Sequence, residues 1–404
     1  MAGLLSAFVV FALPILTSAE RGQTTGQPPI PASLQQIAQE VDSPDVKVRR
    51  RALRALRERG GPEPLALLGR LIADEDLGIR EEAIDLTMRI YVEPPPKSRI
   101  GSAEEGFDLA PYRATPWPAP ADLTRALVRA LADEYPSVRR DSAYVLAIVA
   151  QPPASNTMAF ELEASLSDRD PAVRIAAARA LGRLRVRSAG IALVGRVNDE
   201  ILDVRLASMR ALGDLRETSA VPALTDQFQF YVKGIAGRAA LDALARIGDP
   251  SSVPLFEAQT DSGYPAHRQS AYEGLARTGT AKVTAPRIEG ALASERDKRV
   301  RLAMSFALAS AGRPIAPVVD GVLDEDLAAQ ALEYVVEIGP AHAVDLAARL
   351  RDQEPVVRQH IAIALGFVGG PDASSALTAA ATDTNADVRN AVQVAQLRLR
   401  GDKP

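Results

Sequence analysis

A Val or Ile followed by Arg recurs along this 404-residue chain at a step of mostly 30 to 33 residues, and no other feature constrains the fold as strongly. The pair stands at Val48-Arg49, Ile79-Arg80, Val138-Arg139, Val173-Arg174, Val204-Arg205, Val300-Arg301, Val357-Arg358 and Val388-Arg389. Weaker copies at Ala236-Gly237, His267-Arg268 and Leu327-Ala328 bring the count to eleven units. Self-similarity at this period marks a stacked repeat array, so length alone does not argue for two or three globular domains.

The spacing inside a unit is helical. Counted from Val173, the residues Ala177, Ala180, Leu181 and Leu184 fall on one face of an amphipathic helix, not on the alternating face of a strand. Pro136, Pro171 and Pro355 precede their pairs by two residues and suit a first helical turn. Gly182, Gly213, Gly248, Gly279, Gly312 and Gly339 follow the helical stretch and are expected to end it, in part through left-handed turns. A second apolar-periodic segment lies upstream of each pair, such as 123–131 or 343–350, so each unit reads as helix, turn, helix. Aromatic residues make up only 4% of the chain, which suits thin layers of Ala, Leu and Val.

An acid stands six residues before the repeated Arg. The pairs are Asp74 with Arg80, Asp133 with Arg139, Asp168 with Arg174, Asp199 with Arg205, Asp352 with Arg358 and Asp383 with Arg389, with Glu295 before Arg301 as a longer substitute. The carboxylate falls in the turn, where it can accept N–H groups of the next helix start, and the guanidinium fork can reach the same turn or the adjacent one. A row of catalytic or anion-binding charges is one reading. An architectural ladder is the better one, because the pattern returns once per unit.

The turn Asp, the Val-Arg pair and the helix pattern of Ala177, Ala180, Leu181 and Gly182 resemble HEAT repeats, in particular the short bacterial HEAT-like type of phycobilisome lyase subunits. The resemblance covers roughly residues 33–398. It implies an all-α fold, an α-solenoid of about eleven stacked hairpins, with the second helices lining the concave side. Eleven layers at the usual helix separation would make an array on the order of 100 Å long.

Outside the array, Leu4 to Leu16 is an apolar stretch followed by Thr17-Ser18-Ala19, the layout of a signal peptide over residues 1–19. An uncleaved membrane anchor is the alternative. Residues 20–32 read as a flexible leader and 399–404 as a polar tail. The expectation is an exported chain, periplasmic or secreted, and the absence of Cys is compatible with an oxidising compartment.

Three places break the pattern. A Pro-rich insertion at 91–120 carries Phe107, Tyr112 and the only Trp, Trp117; it is either a partner-contacting loop or an insertion pinned to the solenoid. Units six and seven gather Phe228, Phe230, Tyr231, Phe256, Tyr264 and Tyr272, either as a contact patch, with Phe230, Tyr231 and Tyr264 the candidates, or as filling for imperfect layers. Lys47, Arg49, Arg50, Arg51, Arg54, Arg57 and Arg59 crowd the first Val-Arg helix, which suits a solvated cap or peripheral contact with an anionic membrane surface.

Chemistry is harder to find. A chain without Cys has no disulfide, thiolate nucleophile or sulfur-bound metal, and a net charge of -4 disfavours nucleic acid as partner. His267, His342 and His360 lie in different units without metal-ligand spacing, and the acidic run Asp324-Glu325-Asp326 lacks the offsets of a calcium loop. Hydrolase and nucleotide-binding motifs are missing. The expected function is therefore a non-enzymatic, cofactor-free scaffold for a protein partner. The alternative is a HEAT-type enzyme or chromophore-lyase-like protein with an unrecognised site, an analogy of fold alone.

Overall fold

The computed structural model describes residues 34–92, 102–105, 107–108, 114, 117–150 and 154–400. The expected signal peptide, leader, Tyr112 and the last four residues lie outside them.

Among the described residues the chain forms eleven helical hairpins and no strand, the one extended pairing being an isolated bridge between Val92 and Ala114. The first four hairpins pair α1 (Gln35–Val41) with α2 (Val46–Arg59), α3 (Leu65–Ile72) with α4 (Leu77–Tyr91), α5 (Ala121–Ala130) with α6 (Pro136–Val149) and α7 (Asn156–Ser165) with α8 (Pro171–Arg183). Then come α9 (Gly190–Arg196) with α10 (Leu202–Leu215), α11 (Val221–Phe230) with α12 (Ile235–Ile247) and α13 (Val253–Gln259) with α14 (Pro265–Arg277). The last four pair α15 (Ala281–Leu292) with α16 (Lys298–Ser310), α17 (Ala316–Asp320) with α18 (Ala328–Ile338), α19 (Ala343–Arg349) with α20 (Pro355–Val368) and α21 (Gly370–Ala379) with α22 (Ala386–Arg400). Two boundaries move from their sequence positions: Tyr91 is a buried residue of α4, and Leu399 and Arg400 continue α22. None of the described helices is long and apolar enough to cross a membrane.

Each hairpin shares its apolar face with its neighbours, because a two-helix unit alone leaves one side of both helices wet. The second helices form the main seam: α6 packs on α8, α8 on α10, α10 on α12, α12 on α14, α14 on α16, and α20 on α22. One buried cluster joins residues from Leu34 to Ala395, so the described residues do not divide into separate lobes.

Sequence reasoning treats the glycines of the second helices alike, but they do two jobs. Gly248, Gly279 and Gly312 end their helices at φ 65°, 77° and 88°, where a side chain would be strained. Gly182 and Gly213 instead lie inside α8 and α10, and the left-handed residues that follow are Arg185 and Arg216. A Cβ on Gly182 would sit 2.8 Å from Ala211 Cα, and one on Gly366 would sit 2.8 Å from Ala395 Cα. There the glycine is a contact surface for the next helix backbone. Gly339, also not left-handed, faces the Val368 side chain.

Substituting Gly182→Ala is accordingly expected to cost about 1–3 kcal/mol through overpacking, although Ala is the better helix former by about 1 kcal/mol. Gly195→Ala in α9 meets nothing within 4 Å and is expected to gain up to about 1 kcal/mol. Urea unfolding of the two variants measures the contrast, and equal gains would remove the close-approach explanation.

Candidate functional site

The turn acids and second-helix arginines build the ladder that supports the concave wall. Each arginine does two things. Its Nη1 bonds backward to the turn of its own unit, as Arg174 does to the carbonyl of Asp168 at 2.9 Å and Arg139 to that of Asp133 at 2.8 Å. Its Nε and Nη2 reach forward to the carboxylate of the next unit, as Arg139 does to Asp168 at 2.7 and 2.8 Å, Arg174 to Asp199 at 3.2 and 3.0 Å, and Arg358 to Asp383 at 2.7 and 2.8 Å. Arg80 forms a looser version of the link, an ion pair with Asp133 at 3.0 Å and one hydrogen bond from Nη2 at 3.3 Å. The acid also accepts a backbone N–H two residues on, for example Asp170 N to Asp168 at 2.9 Å. Each rung therefore ties three chain segments together.

Two arginines outside the sequence pattern belong to the ladder. Arg49 bonds Asp74 at 2.7 and 2.9 Å, and Arg268 bonds Glu295 at 2.8 and 2.9 Å. They are missed because Ser43 and Ser262 stand where the own-unit acid is expected; the guanidinium needs only the serine carbonyl there, at 3.0 and 2.7 Å. Other rungs are incomplete. Arg205 bonds the Asp199 carbonyl at 3.0 Å, but Tyr231 replaces the next acid and the guanidinium lies 5.9 Å from its ring centre. Arg301 makes only carbonyl contacts to Leu292 and Glu295, and Asp352 pairs with Arg349 at 2.9 Å, since the intervening unit carries Leu327-Ala328 instead of the pair. Arg389 in the last helix bonds the Asp383 carbonyl at 2.7 Å.

Burial tends to raise the Asp168 and Asp199 carboxyls, but hydrogen bonds from Arg139 and Arg174 and from backbone N–H groups hold both below the ordinary range. The Arg358 hydrogen bond does the same for Asp383, and that of Arg268 for Glu295. A carboxyl whose pKa is depressed on folding adds stability above its unfolded pKa, about 4, and loses it as pH falls through the folded value. Asp242, raised by desolvation and by the neighbouring Glu273 carboxylate, works in the opposite sense. The melting temperature is therefore expected to be level between roughly pH 7 and 8, to ease below about 6.5, where buried His267 resists protonation, and to fall progressively below about 4. A melting temperature unchanged at pH 3 would contradict the ladder's electrostatic part.

The second helices enclose a groove of about 1370 Å³. Its walls come from α6, α8, α10, α12, α14, α18 and α20, and from Ser102, Glu104, Phe107 and Asp108 of the insertion. The lining mixes cations such as Arg140 and Arg210, acids such as Asp203 and Asp214, and apolar positions such as Ile175 and Leu206.

The superhelix curls far enough that non-neighbouring units meet across this groove. Arg246 of α12 bonds Glu333 of α18 at 2.6 Å, Arg277 of α14 bonds Glu337 at 2.9 Å, and Arg216 reaches Glu337 at 3.0 Å. In a straight stack the fifth and ninth hairpins would stand about 40 Å apart, so the extended-array expectation gives way to a tightly curled one. Beneath the clasp, the Tyr334 hydroxyl donates to Glu273, and its ring stacks on Phe306 at 4.3 Å. Burial and the Glu273 carboxylate push the Tyr334 hydroxyl far above its usual range. Arg277 is held protonated despite burial, because Glu337 and Glu273 both face it.

The aromatic candidates separate. Trp117 is half-buried against the core and pins its segment, and Phe107 is buried at the groove wall, so neither is a free contact surface. Phe228, Phe256 and Tyr272 fill layers, whereas Phe230, Tyr231 and Tyr264 are exposed at hairpin turns away from the groove lining. The arginines of the first unit are largely paired already, Arg51 within the unit to Glu40 at 3.2 Å and Arg50 and Arg57 with the second unit, to Asp76 at 3.0 Å and Glu82 at 2.9 Å, with Arg49 committed to the ladder. That pairing weakens the case for an anionic surface as its partner. Lys298 binds Asp324 and Asp326 at 2.9 and 2.6 Å, so the acidic run already has its cation.

His267 is buried between Phe228 and Tyr264, and desolvation, aided by Arg238, lowers its pKa. His342 lies 3.2 Å from the Ala309 carbonyl. Among the described residues no group of three or more His, Asp or Glu is placed to hold a metal ion.

No curated protein matches the sequence significantly. Among solved structures, an engineered protein is 19% identical, with 91% of this chain and 98% of that one covered and a TM-score of 0.42. The complex of CpcE and CpcF of phycocyanin lyase from Nostoc sp. PCC7120 is 22% identical, covering 66% and 99%, with a TM-score of 0.41. Yeast importin-beta (Kap95p) is 14% identical over 91% of this chain and 55% of its own, with a TM-score of 0.40. The family model for HEAT repeats matches residues 32–96, 161–229, 235–309 and 318–396, well over half of the sequence, and with the hairpin stack and its Asp–Arg rungs this places the chain in the HEAT-repeat family.

Proposed function

We propose that this HEAT-repeat protein is a non-enzymatic, extracytoplasmic scaffold that holds a protein partner in its concave groove. The observation that carries the reading is the groove itself: a concavity of about 1370 Å³, built by seven second helices with guanidinium groups, carboxylates and apolar side chains side by side. Arginine with apolar surface is the composition that protein interfaces favour, and solenoids present such surface in register. The ladder charges are spent on the chain's own turns, which leaves the groove lining, not the rungs, to meet another molecule. The apolar run from Leu4 to Leu16 followed by Thr17-Ser18-Ala19 supports export.

Affinity capture from the native host after crosslinking tests the reading. Arg210 lines the groove on an exposed stretch of α10. The wild-type chain is expected to retain a defined protein partner that Arg210→Glu loses while melting unchanged. An identical partner list for both would overturn the groove as the binding surface. Export is tested by N-terminal sequencing of the chain recovered outside the cytoplasm: a start at Glu20 supports it, and a full-length cytosolic chain contradicts it.

A further inference from the structure

The insertion leaves the array between the second and third hairpins, yet part of it lands on the groove wall formed by the third and fourth. Arg179 of α8 pairs with Glu104 at 2.6 Å and also with Asp108. Its guanidinium lies 4.9 Å from the Phe107 ring centre and 5.4 Å from that of Tyr144 in α6. Arg183, one turn on, donates to the Phe107 carbonyl at 2.8 Å and lies 4.9 Å from the same ring. Phe107 is 8% exposed and packs against Tyr144 at 5.4 Å. Burial lowers the Arg183 guanidinium to about 10, and among the described residues no carboxylate bonds it directly.

This is how a receptor holds a short peptide. One arginine grips two carboxylates, another takes a main-chain carbonyl, and a phenylalanine sits between guanidinium planes and a tyrosine. Cation–π contacts and charge-assisted hydrogen bonds of this kind gain strength as they are desolvated. The seated residues are local in sequence, an acid, two residues, Phe and a second acid, so any chain with that spacing presents the same groups.

We propose that the Arg179–Arg183–Tyr144 wall is a recognition site for an acidic peptide segment with the order acid, two residues, Phe, acid, and that Glu104, Phe107 and Asp108 are its occupants in cis. The proposal rests on the scaffold reading and narrows it: the partner protein carries such a segment, which takes the place of the chain's own. A tethered occupant competes at the millimolar effective concentrations of a short linker, so the free wall is a small fraction of the population and apparent affinity for an outside peptide falls by that fraction.

The probe is a fluorescein-labelled synthetic peptide of residues 102–109, titrated by anisotropy into the full chain. Replacing Glu104, Phe107 and Asp108 together by Ala empties the wall and is expected to tighten peptide binding at least tenfold over wild type. Arg179→Ala in that background should lower affinity roughly tenfold or more, as loss of charged hydrogen bonds does, and Arg179→Lys should retain part of it. A peptide with Ala in place of Phe should not bind. If the triple variant melts early, the milder pair Glu104→Gln and Asp108→Asn, with Phe107 kept, serves the same comparison.

A folded, emptied variant that binds the peptide no better than wild type overturns the proposal, as does equal binding of the Phe-less peptide. The scaffold reading fails separately, in the capture experiment with Arg210→Glu. A host partner lost on that substitution while the peptide does not bind would leave the groove standing and remove only the motif.

Discussion

Arg277→Ala is expected to lower the stability of the chain by about 3–5 kcal/mol in urea unfolding at neutral pH, the range for breaking a buried ion pair from one side. The reason is the company Arg277 keeps. Its side chain is 4% exposed and pairs with Glu273 at 3.1 Å and Glu337 at 2.9 Å, and Glu273 in turn accepts from the Tyr334 hydroxyl. Removing the cation leaves the buried Glu273 carboxylate uncompensated beside a phenol that burial already keeps protonated, while Glu337 keeps only Arg216. The double variant Arg277→Met with Glu273→Gln removes the buried charge of both signs, keeps an acceptor for the Tyr334 hydroxyl and leaves Glu337 to Arg216. It is expected to recover at least half of the loss, since neutral replacement of a buried pair is often close to neutral in stability. A single substitution costing less than about 1 kcal/mol would mean that the clasp does not hold the curled form together.

Breaking one rung of the ladder gives the second large effect. Arg174 and Asp199 are both buried, and Arg174→Ala abandons the two bonds to Asp199 together with those to the carbonyls of Asp168 and Arg169. The expected loss is about 2–3 kcal/mol, the upper range for charge-assisted hydrogen bonds and less than for the clasp, because Asp199 keeps Arg196 at 3.6 Å and the Ile201 N–H at 3.0 Å. Arg205 supplies an internal comparison. Its forward acid is missing and only a ring 5.9 Å away takes that place, so Arg205→Ala should cost no more than about 1 kcal/mol. Thermal melting of both variants tests the contrast; equal losses would show that the carbonyl contacts, which both arginines make, carry the rung.

The hairpins and the ladder acids are legible in the sequence because local spacing sets them. A helix face repeats every few residues, and an acid six residues before an arginine lies in the turn that starts that arginine's helix. The partner of each arginine is not legible in the same way: Arg174 spends its fork on Asp199, in the next unit, and only the stacking distance brings them together. Gly182 shows a related limit, since a glycine that ends a helix and one that admits a neighbouring backbone look alike in one dimension.

The groove is where most was hidden. Glu333 and Glu337 stand four residues apart in a unit that lacks the Val-Arg pair, and they meet Arg246, Arg277 and Arg216 only because the stack curls. Likewise, the spacing of Glu104, Phe107 and Asp108 is visible in the sequence, but its landing on Arg179 is not. An acid–aromatic–acid segment in an insertion, set against a wall rich in arginine, is the signal that could have raised it.

Site-specific photocrosslinking in the native host tests the central claim, that the concave face is the working surface, most directly. A photoreactive residue at Leu206, in the groove, is compared with one at Val283, 84% exposed on the first helix of its hairpin and outside the groove lining. The account predicts a defined protein adduct from position 206 and none from position 283. A specific adduct at 283 with none at 206 would contradict it.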